Sequence, residues 1–201
     1  MRGFYRNTAS VILPCMKVLL IDNGTRLLDK LQKLIDAEID TRTFGQISTA
    51  TAQGYDLIIL SGSSEHSVVR DHGAFQSELD LIRSSETPII GICFGCELIA
   101  NAFGGKLKEL AEPHEGIREI TIKDTALINR PVIRAYEHHR WIISEVPKDF
   151  RVIAESEDGP EGIEHETRRI CGLQFHPENF VDTTEGDDVF FSVIKAFTQA
   201  G

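Results

Sequence analysis

Pro88-Ile89-Ile90-Gly91-Ile92-Cys93-Phe94-Gly95 begins as an unbroken apolar run and ends on a cysteine between two glycines. A continuous run of this kind reads as a strand buried on both faces. The segment after it, Cys96 to Phe103, reads as a helix that stops at Gly104-Gly105. Gly-x-Cys-x-Gly between a strand and a helix is the arrangement that lifts a nucleophile above a sheet. The glycines leave room for a tight, strained turn. The helix N-terminus beneath Cys93 is expected to favour its thiolate, and the Phe94 N–H to face a developing oxyanion.

Working outward, two earlier runs have the same character. Lys17-Val18-Leu19-Leu20-Ile21-Asp22 ends in the turn signal Asp22-Asn23-Gly24, and Tyr55 to Leu60 ends in Ser61-Gly62-Ser63-Ser64. Leu27, Leu28, Leu31, Leu34 and Ile35 recur at helical spacing after the first run, and Phe75, Leu79 and Ile82 before the third. Buried strands alternating with helices predict an α/β fold with a parallel sheet covered on both faces. Ligands of such sheets bind at the carboxyl ends of the strands, so the loops after Ile21, Leu60 and Ile92 are the ones to inspect. The second half is strand-rich. Ile117 to Ile122 alternates apolar and polar residues, strands follow at Val132–Tyr136, Arg151–Ala154 and Ile170–Phe175, and a helix closes the chain near Asp187–Phe197. The expected whole is a mixed, mostly parallel sheet in one domain over residues 16–201, with residues 1–15 a loose extension.

Composition narrows the function. The 201 residues carry a formal charge of -10 with 41% hydrophobic content, which suits a globular protein and disfavours a phosphate-neutralising surface. No nucleic acid is expected as a direct partner. No apolar run approaches the length of a membrane span, and a cytoplasmic location is the default. Four cysteines, Cys15, Cys93, Cys96 and Cys171, are too few and too scattered for a disulfide framework.

Gly172-Leu173-Gln174-Phe175-His176-Pro177-Glu178 is the second informative stretch. A nucleophilic cysteine needs an imidazole to take its proton, and the imidazole needs a carboxylate to fix its tautomer. His176 and Glu178, two apart at a strand end, can project to the same side.

Together, Gly-Ile-Cys-Phe-Gly and Gln-Phe-His-Pro-Glu, in this order and separation, resemble the class I glutamine amidotransferase family over about Met16 to Phe197. Within it the chain is most similar to the glutaminase subunits of GMP synthases, through Ile21-Asp22-Asn23-Gly24, Leu60-Ser61-Gly62 and Gly104-Gly105-Lys106. The resemblance implies a flavodoxin-like fold and a Cys93–His176–Glu178 triad. It implies an oxyanion hole at Gly62 and Phe94, and hydrolysis of the glutamine amide through a glutamyl thioester. No cofactor or metal is implied. Ammonia would pass to a synthetase on a separate chain.

Three positions depart from the family pattern. Glu97 stands where the family has a substrate-holding glutamine, Ser63 where it has a glycine, and Glu137-His138 where it has Ser-His. Glu97, Glu137 and His138 are therefore the candidate substrate-binding residues. A glutamate at 97 would repel a substrate carboxylate, so a γ-glutamyl peptide hydrolase is the alternative enzyme, and a weakly active regulatory or binding subunit the non-catalytic one. If position 63 demands a positive φ, Ser63 adds strain of about 1–2 kcal/mol.

Other patterns carry less. Cys93-x-x-Cys96 matches a redox pair, but its internal glycine and the downstream His-Pro-Glu do not. Zinc ligands at familiar spacing are missing, and the adjacent His138 and His139 read as surface or loop residues. Ser61-Gly62-Ser63-Ser64-Glu65 lacks the second glycine and the aspartate of a pyrophosphate loop.

Overall fold

The computed structural model describes residues 16–123, 125–181 and 183–199; the extension expected over residues 1–15 lies outside them. Along the chain the elements are β1 Lys17–Asp22, α1 Leu28–Leu34, β2 Glu38–Thr43, β3 Leu57–Leu60, α2 Gln76–Ser84, β4 Ile89–Ile92 and α3 Phe94–Ala102. They continue with β5 Lys106–Ile122, β6 Val132–Glu145, β7 Phe150–Ser156, β8 Gly159–His165, β9 Ile170–Leu173 and α4 Gly186–Thr198. The strands form one nine-stranded sheet in the order β2-β1-β3-β4-β9-β8-β7-β5-β6.

The sheet has two halves. From β2 to β9 every pairing is parallel. From β9 to β6 every pairing is antiparallel. In the parallel half, successive side chains enter opposite cores because strand side chains alternate faces. Val18 and Leu20 pack with Leu31 of α1 and with Val189 and Phe190 of α4. Leu19 and Ile21 pack with Leu79 and Ile82 of α2 and Leu98 and Ile99 of α3. Helices thus cover both faces, as the unbroken apolar strands require.

Two strands have no apolar run to announce them. β2 is a half-buried edge strand of sequence Glu-Ile-Asp-Thr-Arg-Thr, and β8 begins Gly-Pro-Glu-Gly. The expected Ile117–Ile122 strand extends back to Lys106, and the Val132 strand runs on to Glu145, making a long hairpin with register shifts. No helix among the described residues is long and apolar enough to cross a membrane.

Candidate active site

β4 and α3 meet at Cys93, the residue before the first turn of the helix. Its φ of 50° makes it the one non-glycine residue with a positive φ among those described. Such a conformation is costly for an L-residue and persists only where its surroundings over-determine it. Here they do. The Cys93 N–H donates to Leu173 O of β9 at 2.7 Å, and the Glu97 N–H to Cys93 O at 3.0 Å. The flanking glycines allow strand and helix to touch. A Cβ on Gly91 would lie 2.4 Å from Gly95 O, and one on Gly95 would lie 2.5 Å from Leu60 O. The glycine spacing around the cysteine is therefore a packing requirement.

His176 follows β9, and its N–H donates to Tyr136 O of β6 at 2.8 Å. Its Nδ1 lies 2.9 Å from Glu178 Oε1, with both side chains buried. An ionised carboxylate only accepts, so Nδ1 carries the hydrogen and Nε2 is left to face the cysteine. The imidazole and the Cys93 sulfur are close enough that each shifts the other's proton affinity. Burial of the imidazole opposes its protonation, but the Cys93 sulfur and the Glu178 carboxylate outweigh it and hold His176 well above its ordinary value. For Cys93, burial pushes the thiol up, His176 pulls it back, and Glu97 and Glu178 add to the rise. The expected lowering by the helix N-terminus is therefore not what prevails. Desolvation and two nearby acids act against the terminal dipole effect.

Gly62 borders the gap between thiol and imidazole: a Cβ there would stand 3.1 Å from His176 Cε1 and 3.6 Å from Cys93 Cβ. Phe94 is the first residue of α3, where backbone N–H groups have no intrahelical acceptor. The Gly62 loop is held from beneath by Asn23, part of the turn signal after the first run and of the family pattern, and by Glu78, which sequence reading did not single out. The Asn23 N–H donates to Ser61 Oγ at 2.9 Å, and Asn23 Nδ2 reaches Ser61 O at 3.3 Å and Glu78 Oε1 at 3.1 Å. Burial pushes the Glu78 carboxyl up to about 8 against the Asn23 hydrogen bond. An acid on the apolar face of α2, beside Leu79 and Ile82, was the available signal. Ser63 has no positive φ, so the strain foreseen there is absent. Its Oγ instead accepts the N–H groups of Glu65 and His66, at 3.2 and 2.9 Å.

A cleft of about 640 Å³ opens over Cys93 and His176, with Glu97, Tyr136 and His138 in its wall. Glu97, buried, accepts a hydrogen bond from Gln174 Nε2 at 3.2 Å. Burial pushes its carboxyl up to about 8, against the pull of Gln174 and His176. Gln174 Nε2 also lies 3.9 Å from Cys93 Sγ, a role not visible from its place in the motif. The His138 carbonyl is 3.8 Å from Cys93 Sγ. The two adjacent histidines point to opposite faces of a strand, and neither sits in a loop. Both are on β6, His138 exposed toward the cleft and His139 buried. The Glu137 side chain is fully buried and does not line the cleft; only its backbone runs beside it. Six of the eight named residues thus surround one cleft or its support, Glu178 backs it through His176, and Glu137 turns away.

The family model described as glutamine amidotransferase class-I matches residues 19–196. A subunit of the glutamine-hydrolyzing GMP synthase of Sulfurisphaera tokodaii is 32% identical over 146 residues, covering 71% of this chain and 77% of that one. Anthranilate synthase component II of Haloarcula marismortui is 30% identical over 195 residues, covering 90% and 92%. A crystal structure of a candidate GMP synthase subunit from Thermoplasma acidophilum superposes with a TM-score of 0.80 at 26% identity, covering 92% of this chain and 96% of that one.

Proposed function

Since the chain belongs to the class-I glutamine amidotransferase family, we propose that it hydrolyses the side-chain amide of glutamine at Cys93 and delivers the ammonia to a separate synthetase chain. The observation that carries this reading is the strained Cys93 turn facing the buried His176 imidazole across Gly62, with Glu178 on the imidazole Nδ1. Cys93 Sγ attacks the amide carbon while its proton moves to His176 Nε2. Gly62 and Phe94 N–H groups receive the charge on the carbonyl oxygen. His176 returns the proton to the departing nitrogen, and ammonia leaves. Water, deprotonated by His176, then cleaves the glutamyl thioester to glutamate and restores the thiol. The Cys93 sulfur and Glu178 both raise the proton affinity of His176, which makes the imidazole the acceptor of the thiol proton. Glu178 balances the imidazolium.

Relatives named as GMP synthase subunits or as anthranilate synthase component II bear names of multi-component synthases, which supports ammonia transfer in trans. The GMP synthase-like role is favoured by the run of relatives bearing that name. One observation favours a second reading. Glu97 puts a carboxyl in the cleft wall, which suits a γ-glutamyl peptide hydrolase with the same triad.

The experiment is labelling with 6-diazo-5-oxo-L-norleucine, with ammonia release from glutamine and amine release from a γ-glutamyl peptide measured side by side. Labelling at Cys93 and ammonia release that falls by at least ~10³-fold in Cys93→Ser support the proposal. Amine release alone transfers the site to the second reading. Undiminished turnover in Cys93→Ser ends both.

A further inference from the structure

Behind the cleft wall, on the opposite face of β6 from His138, three side chains meet in the interior. Glu137 and His139, two apart on β6, share one strand face, and Glu161 of β8 comes to meet them. All three are buried, and one donor atom from each lies within 4.8 Å of the other two. Nothing in the chain spacing marks them. They form no Cys-x-x-Cys or paired-histidine pattern, and the hairpin fold alone brings β6 over β8. The sequence predicts no metal.

Their hydrogen bonding is incomplete in one particular sense. His139 Nδ1 lies 3.1 Å from Trp141 O. A carbonyl can only accept, so Nδ1 carries the hydrogen, and in the neutral imidazole Nε2 presents a lone pair. That lone pair points at Glu137 Oε2, 3.5 Å away. Neither it, nor either Glu137 oxygen, nor Glu161 Oε2 has a hydrogen-bond partner. Four buried acceptors therefore face one another with no donor, which is costly unless something positive sits among them.

The neighbouring groups do not supply a hydrogen bond. Arg118 Nε pairs with Glu137 Oε2 at 3.7 Å, which offsets its charge, and His114 Nε2 lies 3.9 Å from it; both are beyond hydrogen-bond range. The guanidinium is already engaged by Asp158 at 3.0 Å and by Glu157. A proton on Glu161, whose carboxyl burial and Glu137 push up to about 9, would serve one acceptor and leave the His139 lone pair facing oxygen. Ser156 Oγ donates to Glu161 Oε1 at 2.7 Å, which orients the other oxygen inward, as outer partners of metal ligands do.

We propose that Glu137, His139 and Glu161 form a divalent cation site, best matched to Zn²⁺, that ties β6 to β8 behind the Cys93 cleft. An imidazole and two carboxylates suit Zn²⁺, with a fourth position left for water. Tetrahedral bonds of about 2.0–2.2 Å place ligand atoms roughly 3.3–3.5 Å apart, and the His139–Glu137 separation of 3.5 Å already matches. The Trp141 carbonyl on Nδ1 supplies the outer hydrogen bond that fixes the ligating tautomer. The site is joined to the cleft by short backbone links. His138, between two of the ligands, has its carbonyl near Cys93 Sγ. The Glu161 carbonyl accepts the Gln174 N–H at 2.8 Å.

The test uses the full chain carrying Cys93→Ser, so that the catalytic sulfur cannot itself take the metal. After removal of metals by chelator, Zn²⁺ is titrated by calorimetry and thermal unfolding is followed with and without it. One Zn²⁺ per chain and a raised Tm are expected, with affinity falling ~100-fold or more in Glu161→Gln and in His139→Gln. Should either variant fail to fold, the Co²⁺ complex of the Cys93→Ser chain decides: ligand-field bands of a nitrogen–oxygen site, with no sulfur-to-cobalt band, are expected at one equivalent. Absence of stoichiometric binding, an unchanged affinity in folded Glu161→Gln, or a sulfur-to-cobalt band would overturn the site.

Discussion

The two halves of the sheet bury different things. The parallel half, β2 to β9, is centred on strands whose residues are sealed on both faces: Leu57–Leu60, Ile89–Ile92 and Ile170–Leu173 are buried throughout. The antiparallel half alternates, and what it buries is often polar. Glu137, His139, Glu161 and His165 all lie inside it. The active cleft is built across the join. The parallel half contributes a rigid backbone turn at Cys93 and the Gly62 loop; β6 contributes the wall that carries Tyr136 and His138. In the proposed reaction Cys93 is the nucleophile, and a nucleophile held by its main chain belongs where packing tolerates no displacement. In the same proposal the groups that would meet the substrate, Tyr136 and His138, are set on the hairpin.

The contrast breaks first at Gly95. In Gly95→Ala the added Cβ would meet Leu60 O at 2.5 Å and Leu60 Cβ at 2.8 Å. Alanine is the better helix former by roughly 1 kcal/mol, but separating α3 from β3 costs about 3 kcal/mol or more. The clash therefore wins. Thermal unfolding should fall by about 6 °C or more for a domain of this size. A variant as stable as the parent would show that the parallel half has slack the structure does not display.

That rigidity is also why the parallel half was legible in the chain. Continuous Val/Ile/Leu runs can be read directly, and Cys93 between its glycines follows from one of them. His176 and Glu178 were legible because the chain places them two apart. The antiparallel half was legible in part only. β2 and β8 carry no apolar run, since one is an edge and the other buries Glu161 and Gly162 among its residues. Glu137 and His139 alternate with Tyr136 and His138, and period-two alternation does not say which face is inside. Reading Glu137 as a substrate ligand and His139 as a surface residue assigned them by chain neighbourhood; the pleat put both side chains in the interior. Glu78 and Gln174 act through contacts 55 and 77 positions distant along the chain, which no local pattern records.

A second prediction tests the join itself, at Glu97. Its carboxyl is raised to about 8 by burial, whereas in the unfolded chain it titrates near ~4.3. Between those values the folded protein binds the extra proton, so stability falls as pH rises through this window and levels off above about 8. Glutamine is neutral at every pH and can still accept the Gln174 hydrogen bond. Glu97→Gln should therefore match the parent near pH 4 and exceed it by about 2 kcal/mol at pH 8.5, allowing for relaxation around the buried charge. Glu78 has a similar shift but is present in both proteins and cancels. Urea unfolding across the range supplies the difference. A gap that stays constant with pH would mean that Glu97 titrates in the folded protein as it does in the unfolded chain.

The smallest effect sharpens the comparison from the other side. Ile117 lies on β5 opposite Tyr136, with 41% of its surface exposed. Ile117→Thr keeps the β-branched shape that strands favour and gives up apolar surface that is only partly buried. A substitution that touches no cap, cavity or buried polar group is expected to change stability by less than about 0.5 kcal/mol, and ammonia release should be unaltered. The same Ile→Thr change at Ile90, buried within β4, would put an unpaired hydroxyl in a sealed core and cost several-fold more. Equal costs at the two positions, measured by the same unfolding experiment, would mean that the hairpin's outer face is covered in solution. A surface built of alternating residues would then be working as a second buried layer.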